Sequence, residues 1–433
     1  VVNKDNWQRR LLAIIDVDDT QFYCLDLYRI AGGNEMWWTF HAQEGEFSTN
    51  GLELTPQKEG TVAGPDVPYG DEAWLKKAGC RKGGYGWSGA NFGFPHLYNV
   101  ERARSRGGWS ADWALEKADG LHFRLTVPET SETEVVVCDG TSPAGGKPYE
   151  MKWVLMHRNG DAPLQTQIAT LMELYRESPV VRSVTPLKLS GPDEAGFNAI
   201  AFTVDLGHRK DTIFAAADAS VSRTAPDGFA FSGRFGFYSE ENGEPTNVVL
   251  VGGTAMTKNG HGVTQETAES TTRITAVDRQ AGTVTITPAP PNPGALVGRI
   301  VFVQNNRRRL GIKVLAATPA GADAVLQLEL DSCVGIGQVQ GVAADRVLTE
   351  TKFHLRGYRY YDGARLVSES GTTEYRVAGV RSTQFVLIDT REHADLDAAL
   401  LRAEFPEGSW FEIHDYGVGD QLSWPNIAVL SRR

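Results

Sequence analysis

The stretch Trp7–Gly45, WQRRLLAIIDVDDTQFYCLDLYRIAGGNEMWWTFHAQEG, decides the fold. Two strand-like runs, Arg10 to Val17 and Phe22 to Ile30, flank the acidic turn Asp16–Thr20. A Gly32-Gly33-Asn34 turn then releases a third run, Met36 to His41, so the pattern predicts a β-meander. Alternate residues of a strand point to opposite faces. Trp38 and Phe40 therefore share one side, and Trp37, Thr39 and His41 the other. One set belongs to the core. The other is a candidate ligand surface, because it joins aromatic area and an imidazole close to a turn mouth.

The same punctuation continues outward. Short β-branched and aromatic runs alternate with Gly, Asn, Asp and Pro clusters at intervals of roughly ten residues, which reads as all-β: a large antiparallel β-sandwich followed by smaller β sub-domains, with few short helices. Asp71 to Ala78 suits a short helix, acidic first and basic last, with Gly79 as its stop, and Glu392 to Ala403 suits a second one. Thr166 to Glu177 could pass for a helix, but its Ser-Pro border and strand neighbours favour a long strand. Hairpins are expected at Thr272–Val277 with Thr283–Thr287 and at Tyr375–Val380 with Gln384–Asp389, each half-solvated. A chain of 433 residues exceeds one core. Three blocks are expected: an aromatic-rich sandwich over 1–190 that holds most of the tryptophans, a second β block over 191–345, and a C-terminal β sub-domain over 346–433.

A net charge of −11 argues against general nucleic-acid binding, which requires a positive field. No run is apolar for long enough to span a membrane. Cys24, Cys80, Cys138 and Cys333 show no CxxC or metal-finger spacing, and Cys24 and Cys138 read as small buried hydrophobes. The chain opens on Val1 with no signal peptide, as a processed or trimmed protein does.

None of the nine histidines falls in an HxH or HExxH arrangement. There is no Gly-x-Ser-x-Gly elbow, and the pairs Gly83-Gly84, Gly145-Gly146 and Gly252-Gly253 lack a dinucleotide-site context and read as turns. His41 and His96 stand out because each lies among aromatics and glycines, in FHAQEG and NFGFPHLYN. Either one touches ligand or serves as a hydrogen-bonded structural histidine. Arg102, Arg104 and Arg106 follow Tyr98 at alternate positions of one strand, and Arg307–Arg309 form a second basic cluster. The guanidinium fork fits uronate carboxylates or sulfates; the competing reading is surface pairing with the chain's surplus carboxylates. The candidate substrate-binding residues are thus Trp37, Trp38, His41, His96, Tyr98, Arg102 and Arg104.

The run from Arg9 to Gly33 followed by Phe40-His41-Ala42 resembles the C-terminal β-sandwich half of heparinase II/III-like polysaccharide lyases. Gly107–Trp113, Lys210–Ala215 and Asp415–Asp420 are similar to later strands of that family. The resemblance implies secretion or a periplasmic location, an upstream α/α toroid as partner, an acidic polysaccharide as substrate, and β-elimination across uronic acids with Asn or Gln, Tyr and His in the family's catalytic roles. The family's zinc ligands would fall before Val1, since Val1–Lys4 is similar to the strand that follows them. No catalytic residue or metal ligand is therefore carried onto this chain, and no cofactor is expected in it. Oligomerisation, polysaccharide and linkage stay open. The expectation is one wall of a lyase cleft; the alternatives are a non-catalytic carbohydrate-binding module and a structural cell-surface β-protein.

Overall fold

The computed structural model describes residues 7–84, 86–128, 131–141, 149–191, 197–305, 308–329, 332–353, 360–371, 373–393 and 396–432. Val1–Lys4, Gly145-Gly146 and Arg307 lie outside them. The protein is all-β, built of antiparallel strands with, among the described residues, two short α-helices, α1 (Glu72–Lys77) and α2 (Ala398–Glu404). It divides into two compact units, Val1–Ala268 with Ile427–Arg433, and Glu269–Asn426. The boundaries expected near 190 and 345 fall inside these units. Residues Ile427–Ser431 return to the first unit and pair with Glu244–Val251, so the second unit is an insertion between two sheet neighbours.

The opening stretch builds the first unit's core. β1 (Trp7–Asp16) and β2 (Phe22–Ala31) form a hairpin in full register, Trp7 opposite Ala31 and Asp16 opposite Phe22. Its turn is tied by the Asp18 carboxylate, which accepts from the Thr20 and Gln21 backbone N–H groups at 2.7 and 2.9 Å. The expected meander stops there. β3 (Glu35–His41) does not pair with β2; it pairs with Glu150–Asn159 in another sheet, and β2 takes Gln165–Tyr175 as its second neighbour. The cause is the turn: Gly32 and Gly33 sit at φ +127° and +63°, and these left-handed conformations, open to glycine, redirect the chain across the sandwich.

Four sheets result. Sheet I runs in the order β1, β2, Gln165–Tyr175, His122–Val127, Trp109–Leu115, Gly45–Asn50, and sheet II in the order β3, Glu150–Asn159, Thr133–Thr141, Leu97–Ser105, Thr55–Pro56. Sheet III is centred on Ala199–Asp205 and Lys210–Ala216, and sheet IV on Phe229–Ser232 and Ala255–Lys258. Three apolar seams stack them. Trp38, Trp109, Trp113, Leu125, Val137 and Met156 fill the I–II seam. Tyr23, Leu25, Leu27 and Leu171 of sheet I meet Phe202, Val204 and Ile213 of sheet III. Phe214, Tyr238 and Leu250 of sheet III meet Phe229, Phe231 and Met256 of sheet IV. Each fully buried side chain of this kind contributes about 1.5–3 kcal/mol relative to exposure. Sheets I and III bury apolar residues on both faces, which explains why Gln165–Tyr175, the expected long strand, lacks a clean alternation.

Polar staples fix the I–III seam. Buried Arg29 donates to Gln167 Oε1, to the Phe197 carbonyl and to the Ala215 carbonyl, and the Tyr23 hydroxyl donates to Asp211 Oδ2 at 2.9 Å. The outer face of sheet II is covered by the segment that carries α1, through Val62, Phe94 and Trp74 packing on Val136, Cys138 and Leu155. The Asp71 side chain caps α1 by accepting from Ala73 and Trp74 N–H, as its sequence predicts. Burial pushes the Cys138 thiol up to about 12, so it behaves as an inert small hydrophobe.

The second unit pairs a closed six-stranded barrel with a seven-stranded sheet. The expected hairpins are present, Glu269–Asp278 with Thr283–Thr287 and Glu374–Arg381 with Phe385–Ile388, but the first closes into the barrel and encloses a core of Val284, Ile286, Val301, Ile312 and Leu326. α2 is shorter than the helix expected from Glu392. Glu392 N–H donates to the Asp389 carbonyl in a turn, the Glu392 carboxylate is held by Arg376 at 3.0 Å, and Asp397 caps the helix only from Ala399. Among the described residues no helix is long and apolar enough to cross a membrane.

Candidate functional site

β1, β2 and the Gly32-Gly33 turn leave a cleft where the chain crosses from sheet I to sheet II. Its volume is about 720 Å³, and Trp7, Gln8, Tyr28, Glu35 and Trp37 line it together with the turn glycines. Every lining residue comes from the opening thirty-seven residues. Trp7 packs against Phe197 with ring centroids 5.4 Å apart, and the Arg9 guanidinium lies 5.0 Å over the Trp7 ring. Tyr28 donates to Gln8 Oε1 at 2.5 Å, and Trp37 Nε1 donates to Glu35 Oε1 at 2.8 Å. Three partly exposed aromatic rings with a carboxylate and an amide at their edges combine flat apolar area with hydrogen-bonding groups that orient a polar ligand.

Behind Trp37 a polar row crosses the outer face of sheet II. The His157 imidazole stacks on Trp37, with centroids 3.9 Å apart and planes 11° apart. Its Nδ1 bonds Glu134 Oε2 at 2.7 Å. Its Nε2 lies 3.0 Å from Glu35 Oε1 but off the hydrogen-bonding direction. Glu134 also accepts from Arg102 Nη1 at 3.0 Å. Burial pushes the Glu134 carboxyl up, yet the hydrogen bonds from His157 and Arg102 outweigh it and hold the group below the usual carboxylate range. The row therefore clamps the back of the Trp37 ring.

The seven sequence candidates separate. Trp38 is 6% exposed and fills the I–II core, stacked with Phe40 at 5.8 Å, so the face assignment holds and Trp38 is structural. Trp37 reaches the cleft. His41 lies on the same outer face four residues farther along, exposed, with its ring 4.2 Å from Trp153. His96 and Tyr98 gather around exposed Tyr69, at 5.3 and 5.7 Å, and the Tyr98 hydroxyl donates to Glu150, a bond that raises its pKa. Arg102 serves Glu134, and Arg104 joins Arg106 on Glu132. These arginines are paired with carboxylates. Of the second basic cluster, Arg308 pairs with Asp415, and Arg309 lies over Phe302.

Sequence reasoning missed His157, Glu134 and Glu35, because the row is assembled across strands whose register a linear pattern does not give. It also missed a second cleft, of about 820 Å³, within the inserted unit. This one is lined by Arg273, Gln304, Asn305, Arg365, Arg376, Glu392, His393 and Gln421. There Arg365 and Arg376 converge on buried Asp420 at 3.0 and 2.6 Å. His393 Nε2 accepts the Arg376 backbone N–H at 3.1 Å, and burial lowers its pKa, so the ring is neutral near pH 7.

The fold and the first cleft define an all-β protein of stacked antiparallel sheets with an aromatic groove. No protein-family model matches the chain, and no curated protein matches it.

Proposed function

We propose that this chain is the β-sandwich portion of a polysaccharide lyase, and that the Trp7–Tyr28–Trp37 cleft forms its sugar-binding wall. The observation that carries this reading is the placement of two indoles and a phenol in one groove, with Glu35 and Gln8 available to bond sugar hydroxyls. Sugar rings bury their C–H faces on aromatic rings and take orientation from polar edges. Arg9, over Trp7, supplies a cation for a uronate carboxylate. In the lyase reaction, neutralising that carboxylate acidifies the α proton, a base removes it, and the glycosidic oxygen leaves. Leu12 and Ile14, which share a face of β1 with Gln8, are 61% and 72% exposed, and we place the upstream toroid partner there, in a secreted or periplasmic protein. The catalytic groups would come from that partner.

One observation favours a second reading. Among the described residues, the titratable side chains that line the cleft are Glu35 and Tyr28, both already engaged, and none is a histidine, as suits a carbohydrate-binding module without chemistry of its own. Incubating uronate polymers with this chain together with the proposed upstream toroid partner, and following the absorbance of unsaturated products, separates the two. Turnover supports the lyase, retention in affinity electrophoresis without turnover supports the binding module, and neither outcome contradicts both.

A further inference from the structure

The inserted unit carries a cluster of metal-ligating atoms that plays no part in the aromatic cleft. Glu412 and His414 are two residues apart on the strand Trp410–His414 and so share one face, while Phe411 and Ile413 between and beside them fill the core behind. Cys333 opens the adjacent antiparallel strand, Cys333–Gln338, directly opposite His414. This register brings a sulfur, an imidazole nitrogen and a carboxylate oxygen within 4.8 Å of one another. Sequence spacing hides the set, because Cys333 lies far from the Glu-x-His pair in the chain.

We propose that Cys333, Glu412 and His414 form a zinc-class divalent-cation site. The donor set is the first reason. Thiolate, imidazole and carboxylate together select a borderline ion such as Zn²⁺ over Mg²⁺ or Ca²⁺, which take oxygen ligands. Geometry is the second. Zinc bonds of about 2.3 Å to sulfur and about 2.0–2.2 Å to nitrogen and oxygen place tetrahedral ligands roughly 3.3–3.7 Å apart, reachable here by small rotations of Cys333 and Glu412. His414 is 2% exposed and held on both sides: Nδ1 bonds Ser332 Oγ at 2.9 Å and Nε2 bonds Glu412 Oε2 at 2.9 Å. Ser332 Oγ in turn accepts from Arg279 Nη1 at 3.2 Å. An outer partner of this kind on the non-ligating nitrogen fixes ring orientation at metal sites. The ion replaces the Nε2–Glu412 hydrogen bond, the Cys333 thiol gives its proton to solvent, and Nδ1–H donates to Ser332. Three protein ligands leave a fourth position for water, on the side where Glu412 is half exposed. The site departs from the sequence expectation that this chain alone binds no metal.

The test uses the full chain, stripped with chelator, kept reduced and titrated with Co²⁺. The expected result is a one-to-one complex with a near-ultraviolet thiolate-to-cobalt charge-transfer band that Zn²⁺ displaces. Cys333→Ser should abolish the band, and Glu412→Gln, at an exposed position that leaves the fold intact, should weaken binding at least tenfold. Ser332→Ala should weaken it about 10–100-fold, as outer partners do. No charge-transfer band at equimolar Co²⁺, or a band that persists in Cys333→Ser, overturns the site.

Discussion

Two clefts among the described residues have similar volume and opposite chemistry. The groove beside β3 is aromatic, with Trp7, Tyr28 and Trp37 around one carboxylate. The groove in the inserted unit has no Trp, Tyr or Phe among its described lining residues and is built from arginines, amides and a neutral histidine around an Asp420 hub. In the first, flat rings stay partly exposed because hydrogen bonds at their edges and the His157 stack at the back hold them without burial. In the second, charge is buried because it is paired. Exposed aromatic area is available to a ligand; a buried guanidinium already committed to a carboxylate stabilises the unit it sits in. Variants at the two sites should therefore separate binding from stability.

The largest effect is expected at Asp420. This residue is 1% exposed and accepts from Arg365, Arg376 and the Gly417 N–H. Asp420→Asn leaves two buried guanidinium groups short of their counter-charge and should cost about 3–5 kcal/mol. Thermal unfolding followed by hydrogen exchange should show the loss in residues 269–426, with sheets I–IV retaining their protection.

A smaller effect is expected at Glu134. Its folded pKa lies below the unfolded value of about 4.3, so its contribution is present above that value and is lost as pH falls through the folded pKa. Glu134→Gln should destabilise by about 1–3 kcal/mol at neutral pH, as removal of a partly buried charged acceptor with two partners does. The gap from the parent should close on acidification toward pH 3, as read by melting temperature against pH. A constant gap would mean that the row does not titrate as described.

The smallest effect is expected at His41. It is exposed, bonds the neighbouring Ala42 carbonyl at 3.1 Å and lies outside the cleft lining. His41→Ala should change stability by less than about 0.5 kcal/mol and leave sugar affinity unchanged. A tenfold loss of affinity would extend the binding surface along sheet II to Trp153.

The contrast between the clefts also sets how much the sequence could reveal. The aromatic groove is local: Trp7, Tyr28 and Trp37 belong to one hairpin and the strand after it, and period-two alternation puts Trp37 and Trp38 on opposite faces, with burial identifying Trp38 as the inner one. The all-β class, the hairpins and α1 were legible for the same reason, since turn residues and caps act over a few positions. Pairing of β3 with Glu150–Asn159 is not local, so the His157–Glu134–Arg102 row could not be read from the chain. Arg365, Arg376 and Asp420 likewise meet only through the register of the inserted unit. The arginines that stood out at alternate positions, Arg102 and Arg104, proved to be carboxylate partners, because alternation reports a shared face and says nothing of what lies across it.

The central claim is that the Trp7–Tyr28–Trp37 groove binds an acidic sugar chain, and calorimetric titration of the intact chain and of Trp37→Ala with uronate oligosaccharides tests it most directly. The account predicts measurable binding by the parent and a loss of about 2 kcal/mol, roughly thirtyfold, in a variant that keeps its β circular-dichroism spectrum and cooperative melt. A folded Trp37→Ala that binds as tightly as the parent would contradict it.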